Sequence, residues 1–149
     1  MKIRISVSEE KYDLVKDYLA RHEVEVGEDG EYVLKEATKY PAFLNVRDDK
    51  KERMRLSVDE VIYVEAFGKD VEIHTSQGTY YAGDRMYQLE ELLDPQEFLR
   101  VSKSVIISRK HVKKIRASLS MKYVLTLTNG VLVDVTRSYY GDFRRFFQI

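Results

Sequence analysis

The chain has 149 residues, 25 basic and 25 acidic side chains, 44% apolar residues, two prolines and neither cysteine nor tryptophan, a length that suits one globular domain with a small attachment and allows a real core. The absence of cysteine excludes structural disulfides, thiolate zinc sites, iron–sulfur clusters and a cysteine nucleophile, and three scattered histidines leave little for metal chemistry. No apolar run is long enough for a membrane span and the N-terminus lacks a signal-peptide stretch, so the expectation is a cytoplasmic protein that is not an integral membrane protein.

Residues 2–7 alternate polar with apolar as a half-buried strand does, and Ser8 before Glu9 and Glu10 has the form of a helix cap. Tyr12, Leu14, Val15, Tyr18 and Leu19 then fall along one helical stripe that ends near Arg21 and His22. A short strand at Val24–Val26, a turn at Gly27–Gly30 and another strand from Tyr32 complete a small strand–helix–strand unit over residues 1–41, too short to stabilise itself without docking. Lys39-Tyr40-Pro41 is the expected joint.

From Ala42 onward the pattern turns mainly β, with strands expected at 42–47, 61–66, 71–75, 78–82, 105–108, 123–128 and 131–135. Tight connections at Phe67–Asp70, Ser76–Gly78 and Asn129-Gly130 predict hairpins. Two helices interrupt the strands. One is capped by Asp84 and carries Met86, Leu89, Leu92 and Leu93; the other begins near Ser138 and packs Phe143, Phe146 and Phe147.

Catalytic signatures are missing: there is no Gly-rich dinucleotide or phosphate loop and no nucleophile elbow, and no serine has a neighbouring histidine and carboxylate to activate it. No enzyme activity, catalytic residue, metal site or cofactor is therefore expected. The paired acids Asp48-Asp49 and Glu90-Glu91 fit a turn and a solvated helix face.

The net charge of zero conceals a segregation. Residues 1–41 carry seven Lys/Arg against ten Asp/Glu, and residues 42–149 carry 18 against 15. Between Phe98 and Val133 stand Arg100, Lys103, Arg109, Lys110, Lys113, Lys114, Arg116 and Lys122 without one acid. Val101, Val105, Ile107, Val112 and Ile115 are spaced to anchor this stretch while Arg100, Ser102, Lys103, Ser104, Arg109 and Lys110 project outward, a composition that suits a phosphate backbone or, equally, a solvated basic face. A second candidate, Thr136-Arg137-Ser138-Tyr139-Tyr140, sets an arginine among hydroxyls between the last strand and the terminal helix, where it would either bond a guanine edge or face solvent beside the cap.

Taken in order, Leu56–Glu65 with Ala66-Phe67-Gly68, Val71–His74, Leu89–Leu92, Phe98–Ser104, Ile107–Val112, Leu125–Gly130 and Val135–Tyr139 resemble the LytTR family of bacterial DNA-binding domains over residues 42–149. The resemblance implies an elongated multi-sheet β fold whose loops, rather than a recognition helix, enter successive major grooves of duplex DNA, and a role in transcription regulation. Carried over residue by residue, it assigns base reading to Lys103, Arg137 and the Phe67–Val71 turn, where Lys69 is the donor, and backbone contacts to Ser102, Ser104 and Tyr139. Arg100, Arg85 at the start of the middle helix, and Ser138 complete the candidate set. Many members have His or Asn where this chain has Ser102 or Lys103, and an aromatic residue where Asp70 stands.

Family members are often fused to a receiver domain, but 41 residues cannot form a receiver's five-stranded sheet, so the expectation is a regulator without one. The N-terminal unit is expected to serve either in forming a homodimer or as a packing extension. The alternative function is a protein-interaction module that keeps the fold, binds a regulatory protein partner and works through an exposed aromatic patch at Tyr80, Tyr81 and Tyr87.

Overall fold

A computed structural model describes residues 1–37 and 40–149, so Lys39 of the expected joint lies outside the described residues. The chain divides into two compact units, Met1–Lys39 and Tyr40–Ile149.

In the first unit, β1 (Lys2–Ser6), α1 (Glu9–Arg21), β2 (Glu25–Val26) and β3 (Tyr32–Lys35) form a parallel sheet in the order β2-β1-β3 with one helix. Ser8 occupies the N-cap position, yet its hydroxyl makes no capping bond; its backbone N–H donates instead to the Glu36 carboxylate beyond β3. The helical stripe divides. Leu19 is buried and Tyr12 and Val15 are half-buried, whereas Leu14 and Tyr18 stay 72% and 59% exposed, because a single helix over three short strands offers one narrow line of contact.

The second unit contains β4 (Phe43–Arg47), β5 (Arg53–Ser57), β6 (Val61–Phe67), β7 (Asp70–Thr75), β8 (Gly78–Ala82), α2 (Met86–Leu92), β9 (Phe98–Arg100), β10 (Val105–Ser108), β11 (Val112–Ser118), β12 (Lys122–Leu127), β13 (Leu132–Val135) and α3 (Tyr140–Phe147). Seven strands make one sheet in the order β5-β4-β8-β7-β6-β10-β9, and β11-β12-β13 make a second. The fold is mostly β, as the strand pattern predicts.

Three strands exceed that prediction. β5 hides its alternation behind Arg53 and Arg55, β9 is only three residues long, and β11 is an edge strand with nearly every side chain exposed. Its lysines blunt that edge against stray pairing. Ile115, expected as an anchor of the basic stretch, is 38% exposed on this strand. The middle helix begins one residue later than expected, with Arg85 rather than Asp84 at the N-cap and the Gln88 side-chain oxygen accepting the Arg85 N–H at 2.9 Å.

Two cores give the unit its rigidity. Leu44, Val46, Leu56, Val64, Ile73 and Ile106 form the first with Met86, Leu89 and Leu93 from the α2 region. The second joins Ile62, Val101, Val105 and Ile107 to Leu125, Leu127, Val133 and Val135, and Phe143 of α3 closes it at 0% exposure. Alternating faces of β6 and β10 serve both cores, which is why those strands are apolar almost throughout.

Candidate nucleic-acid interface

The register of the large sheet brings the expected contact segments to one end of it. Phe67 pairs with Asp70 around the β6–β7 turn, where Gly68 adopts φ +59°, a conformation that favours glycine, and presents Lys69 to solvent. Beside it, the loop between β9 and β10 is fastened twice: Ala66 N–H donates to the Ser104 carbonyl at 2.8 Å, and Val101 N–H to the Val105 carbonyl at 3.0 Å. The Val101 carbonyl in turn accepts the Thr136 N–H at 3.0 Å, which fixes the turn carrying Arg137 against the base of the Lys103 loop. Lys69, Lys103 and Arg137 thus sit on three segments joined through backbone hydrogen bonds and anchored by the buried Val101 and Val105.

Lys103, Ser104, Arg137 and Ser138 are exposed, Ser102 is half-buried with its hydroxyl accepting the Ser104 N–H at 3.3 Å, and Tyr139 is half-buried against the second core. Arg85 is exposed just after β8, whose Ala82 pairs with Val71, so it lies toward the same end of the sheet.

Arg100 does not project outward as expected. Its Nε donates to the Ser102 carbonyl at 3.3 Å, its Nη2 to the Lys103 carbonyl, and its Nη1 lies 3.8 Å from a Glu90 carboxylate oxygen. The planar guanidinium satisfies carbonyls that the tight loop leaves without strand partners, so the side chain shapes the loop from within. Two other cations of the basic stretch are also engaged: Arg109 lies over the Phe146 ring at 4.0 Å, and Lys110 pairs with Asp59 at 2.9 Å. The remaining field comes from Lys103, from Lys113, Lys114 and Arg116 on β11, and from Lys122.

The histidines have local partners. His22 packs on Tyr18, His111 Nδ1 meets the Thr128 hydroxyl at 2.9 Å, and His74 stacks on Tyr63 with centroids 4.3 Å apart. Burial raises the Tyr63 hydroxyl above its ordinary range. Among the described residues no group of three or more His, Cys, Asp or Glu could hold a metal ion, and no helix is long and apolar enough to cross a membrane. Tyr80 is half-buried and packs on the first core, while Tyr81, the next residue of β8, faces the opposite side. The three tyrosines of the alternative function therefore do not form one patch.

One cationic group escaped the sequence argument. Arg47, Arg53 and Arg55 are exposed on one face of the β4–β5 hairpin, with Arg47 directly opposite Arg53. The signal was the Arg53-x-Arg55 alternation, hidden while β5 went unrecognised.

Strand-anchored loops thus set the exposed cations Lys69, Lys103 and Arg137 at one end of the large sheet. The chain belongs to the LytTR family: the pattern of the LytTr DNA-binding domain matches residues 51–148. A relative, the transcriptional regulatory protein LytR of Staphylococcus aureus strain N315, is 36% identical over 72 residues, which are 48% of this chain and 29% of that protein. The sensory transduction protein LytT of Bacillus cereus is 27% identical over 94 residues, 63% of this chain and 38% of its own length. The chain thus spans about a third of the length of these relatives. Among solved structures, the LytTr DNA-binding domain of a Bacillus cereus protein described as a methyl-accepting/DNA response regulator shares the fold, with a TM-score of 0.69 at 23% identity over 73% of this chain and 99% of that one.

Proposed function

We propose that this chain is a sequence-specific transcription regulator of the cytoplasm, reading the major groove of duplex DNA with Lys69, Lys103 and Arg137 while Ser102, Ser104, Ser138, Tyr139 and Arg85 meet the backbone. The observation that carries this reading is the hydrogen-bonded junction of Thr136 with Val101, which ties the Arg137 turn to the Lys103 loop. Two cations held on one rigid frame can address neighbouring base edges without ordering a flexible segment first. Membership of a DNA-binding family and the regulatory names of its relatives support the same conclusion. Selection of bound duplexes from a random pool, followed by titration of the enriched sequence against a scrambled one, tests it. Equal affinity for both sequences would refute specific readout.

The regulator is further proposed to act as a homodimer and without a receiver in residues 1–41, whose first unit has a three-stranded sheet instead. The apolar groove of that unit, lined by Leu14, Val15, Tyr18, Leu19 and Leu34 with a volume near 430 Å³, supports pairing. Glu9 and Glu10 open α1 and Arg21 ends it, so two copies packed antiparallel would set acidic turns against basic ones. Leu14→Glu should then convert a sedimenting dimer to monomer; an unchanged mass refutes this mode of assembly.

A further inference from the structure

We propose that the β4–β5 hairpin carries a second phosphate-binding face, formed by Arg47, Arg53 and Arg55, that grips the DNA backbone flanking the site read by the loops. This inference rests on the DNA-binding reading above.

Arg47 and Arg53 are direct cross-strand partners, and Arg55 lies two residues further along the same face of β5. Like charges set directly opposite each other destabilise a sheet. Among the described residues none of the three guanidiniums has a carboxylate within ion-pairing distance, and Arg55 lies over the Phe43 ring at 4.4 Å. Repulsion of this kind is relieved when an anion bridges the pair, and guanidinium forks match phosphate oxygens in geometry.

The position of the hairpin points to the source of that phosphate. β4 meets β8 through a single register pair, Arg47 with Tyr81, and then diverges from it. The divergence opens a cleft of about 770 Å³ lined by Phe43, Asn45, Arg47, Arg53, Arg55 and Tyr81 among others. Because β4 and β8 are antiparallel, Asn45 and its partner Arg55 continue past Ala82 toward Gly83 and Asp84, which is the end of the sheet that holds the Lys69 turn. β4 stands four strand positions from β10, roughly 19 Å at ordinary strand spacing. That is about six base-pair steps along a duplex. Asp84 also lines the cleft, and Glu72, opposite Tyr81, shares its face but lies 3.3 Å from His74. Asp48, Asp49 and Glu52 stand in the turn that joins β4 to β5, where an Asp48 oxygen accepts the Lys50 and Glu52 N–H groups, and among the described residues none of these acids is ion-paired with the three arginines. Arg47 on β4 precedes the residues that match the family pattern, 51–148, whereas Arg53 and Arg55 on β5 fall within them.

The test uses the full chain and a selected duplex trimmed to the shortest length that retains binding, then extended by about six base pairs on either side. Wild-type affinity should rise with one of the extensions, and the slope of log K against log salt should steepen by roughly 2–3, near 0.9 per phosphate. Arg47→Gln/Arg53→Gln/Arg55→Gln should bind the trimmed duplex as well as wild type and gain nothing from the extension. If the triple variant keeps the full gain, or if wild type gains from neither extension while binding the trimmed duplex, the proposal is overturned and the DNA-binding reading stands. Failure of wild type to bind any duplex overturns both. In a parallel melt with ATP and with inorganic phosphate, stabilisation of wild type but not the triple variant, together with no length effect on DNA, would assign the face to a small anion and also overturn the proposal.

Discussion

The Arg100 guanidinium donates to the backbone carbonyl of Lys103, so a buried-side cation supports from below the residue assigned to base reading. This makes Arg100 a positioning residue. Arg100→Lys keeps the charge but loses the fork that spans the Ser102 and Lys103 carbonyls. The expected result is a loss of about 1 kcal/mol on the selected site, an order set by ordinary charged hydrogen bonds at a half-exposed position, with an unchanged salt slope. A slope reduced by about 1 in Arg100→Ala would instead identify a direct phosphate contact.

Lys103→Ala and Arg137→Ala should each cost roughly 1–3 kcal/mol on the selected sequence and less on scrambled DNA. Ser102→Ala should lower affinity for both alike. Binding isotherms on the two duplexes decide the matter, since uniform losses in the first two variants would restrict Lys103 and Arg137 to the backbone.

Phe143 is fully buried and its ring lies 4.8 Å from those of both Tyr123 and Phe147. Truncation to alanine should destabilise the second unit by about 3–5 kcal/mol in urea unfolding. Since α3 follows directly on the Arg137 turn, loss of specific binding should accompany it under conditions where the chain remains folded. A change below about 1 kcal/mol would mean that α3 contributes little to this core.

Glu36 is held below the usual carboxylate range, mainly by the hydrogen bond from the Ser8 backbone N–H. A folded-state value below the unfolded one contributes stability that is complete above the unfolded value and fades as pH falls through the folded one. The first unit should therefore loosen on acidification below the ordinary carboxylate range, seen as faster amide exchange in β1 and β3. Glu36→Gln should flatten this dependence; an identical pH profile in the variant would show that the pair does not govern it.

Much of the scaffold was legible in the chain's own chemistry. Alternation exposes β4, β7, β8, β12 and β13, short apolar runs expose β6 and β10, Asn129-Gly130 marks the last hairpin with φ +84° at Gly130, and the ordered motifs carry the family resemblance. Local pattern suffices there because a strand with one buried face must alternate and one buried on both faces must be apolar throughout, whatever its neighbours are. β11 and β5 escaped because exposed, charged strands draw their definition from backbone pairing with a neighbour, which leaves little hydrophobic period to detect.

What the linear order determined by itself was the inventory: a β domain, an acidic unit ahead of it, and cations between hydrophobic anchors. Which cations face solvent was decided only by tertiary structure. Arg100 and Arg109 look alike in sequence, yet one turns inward to unpaired carbonyls and the other lies over an aromatic ring. Arg47 and Arg53 flank the five-residue turn of residues 48–52, in no obvious partnership until antiparallel register sets them face to face. The physical reason is that side-chain charge is a property of a residue, whereas its availability depends on which donors, acceptors and rings the fold delivers within a few ångströms.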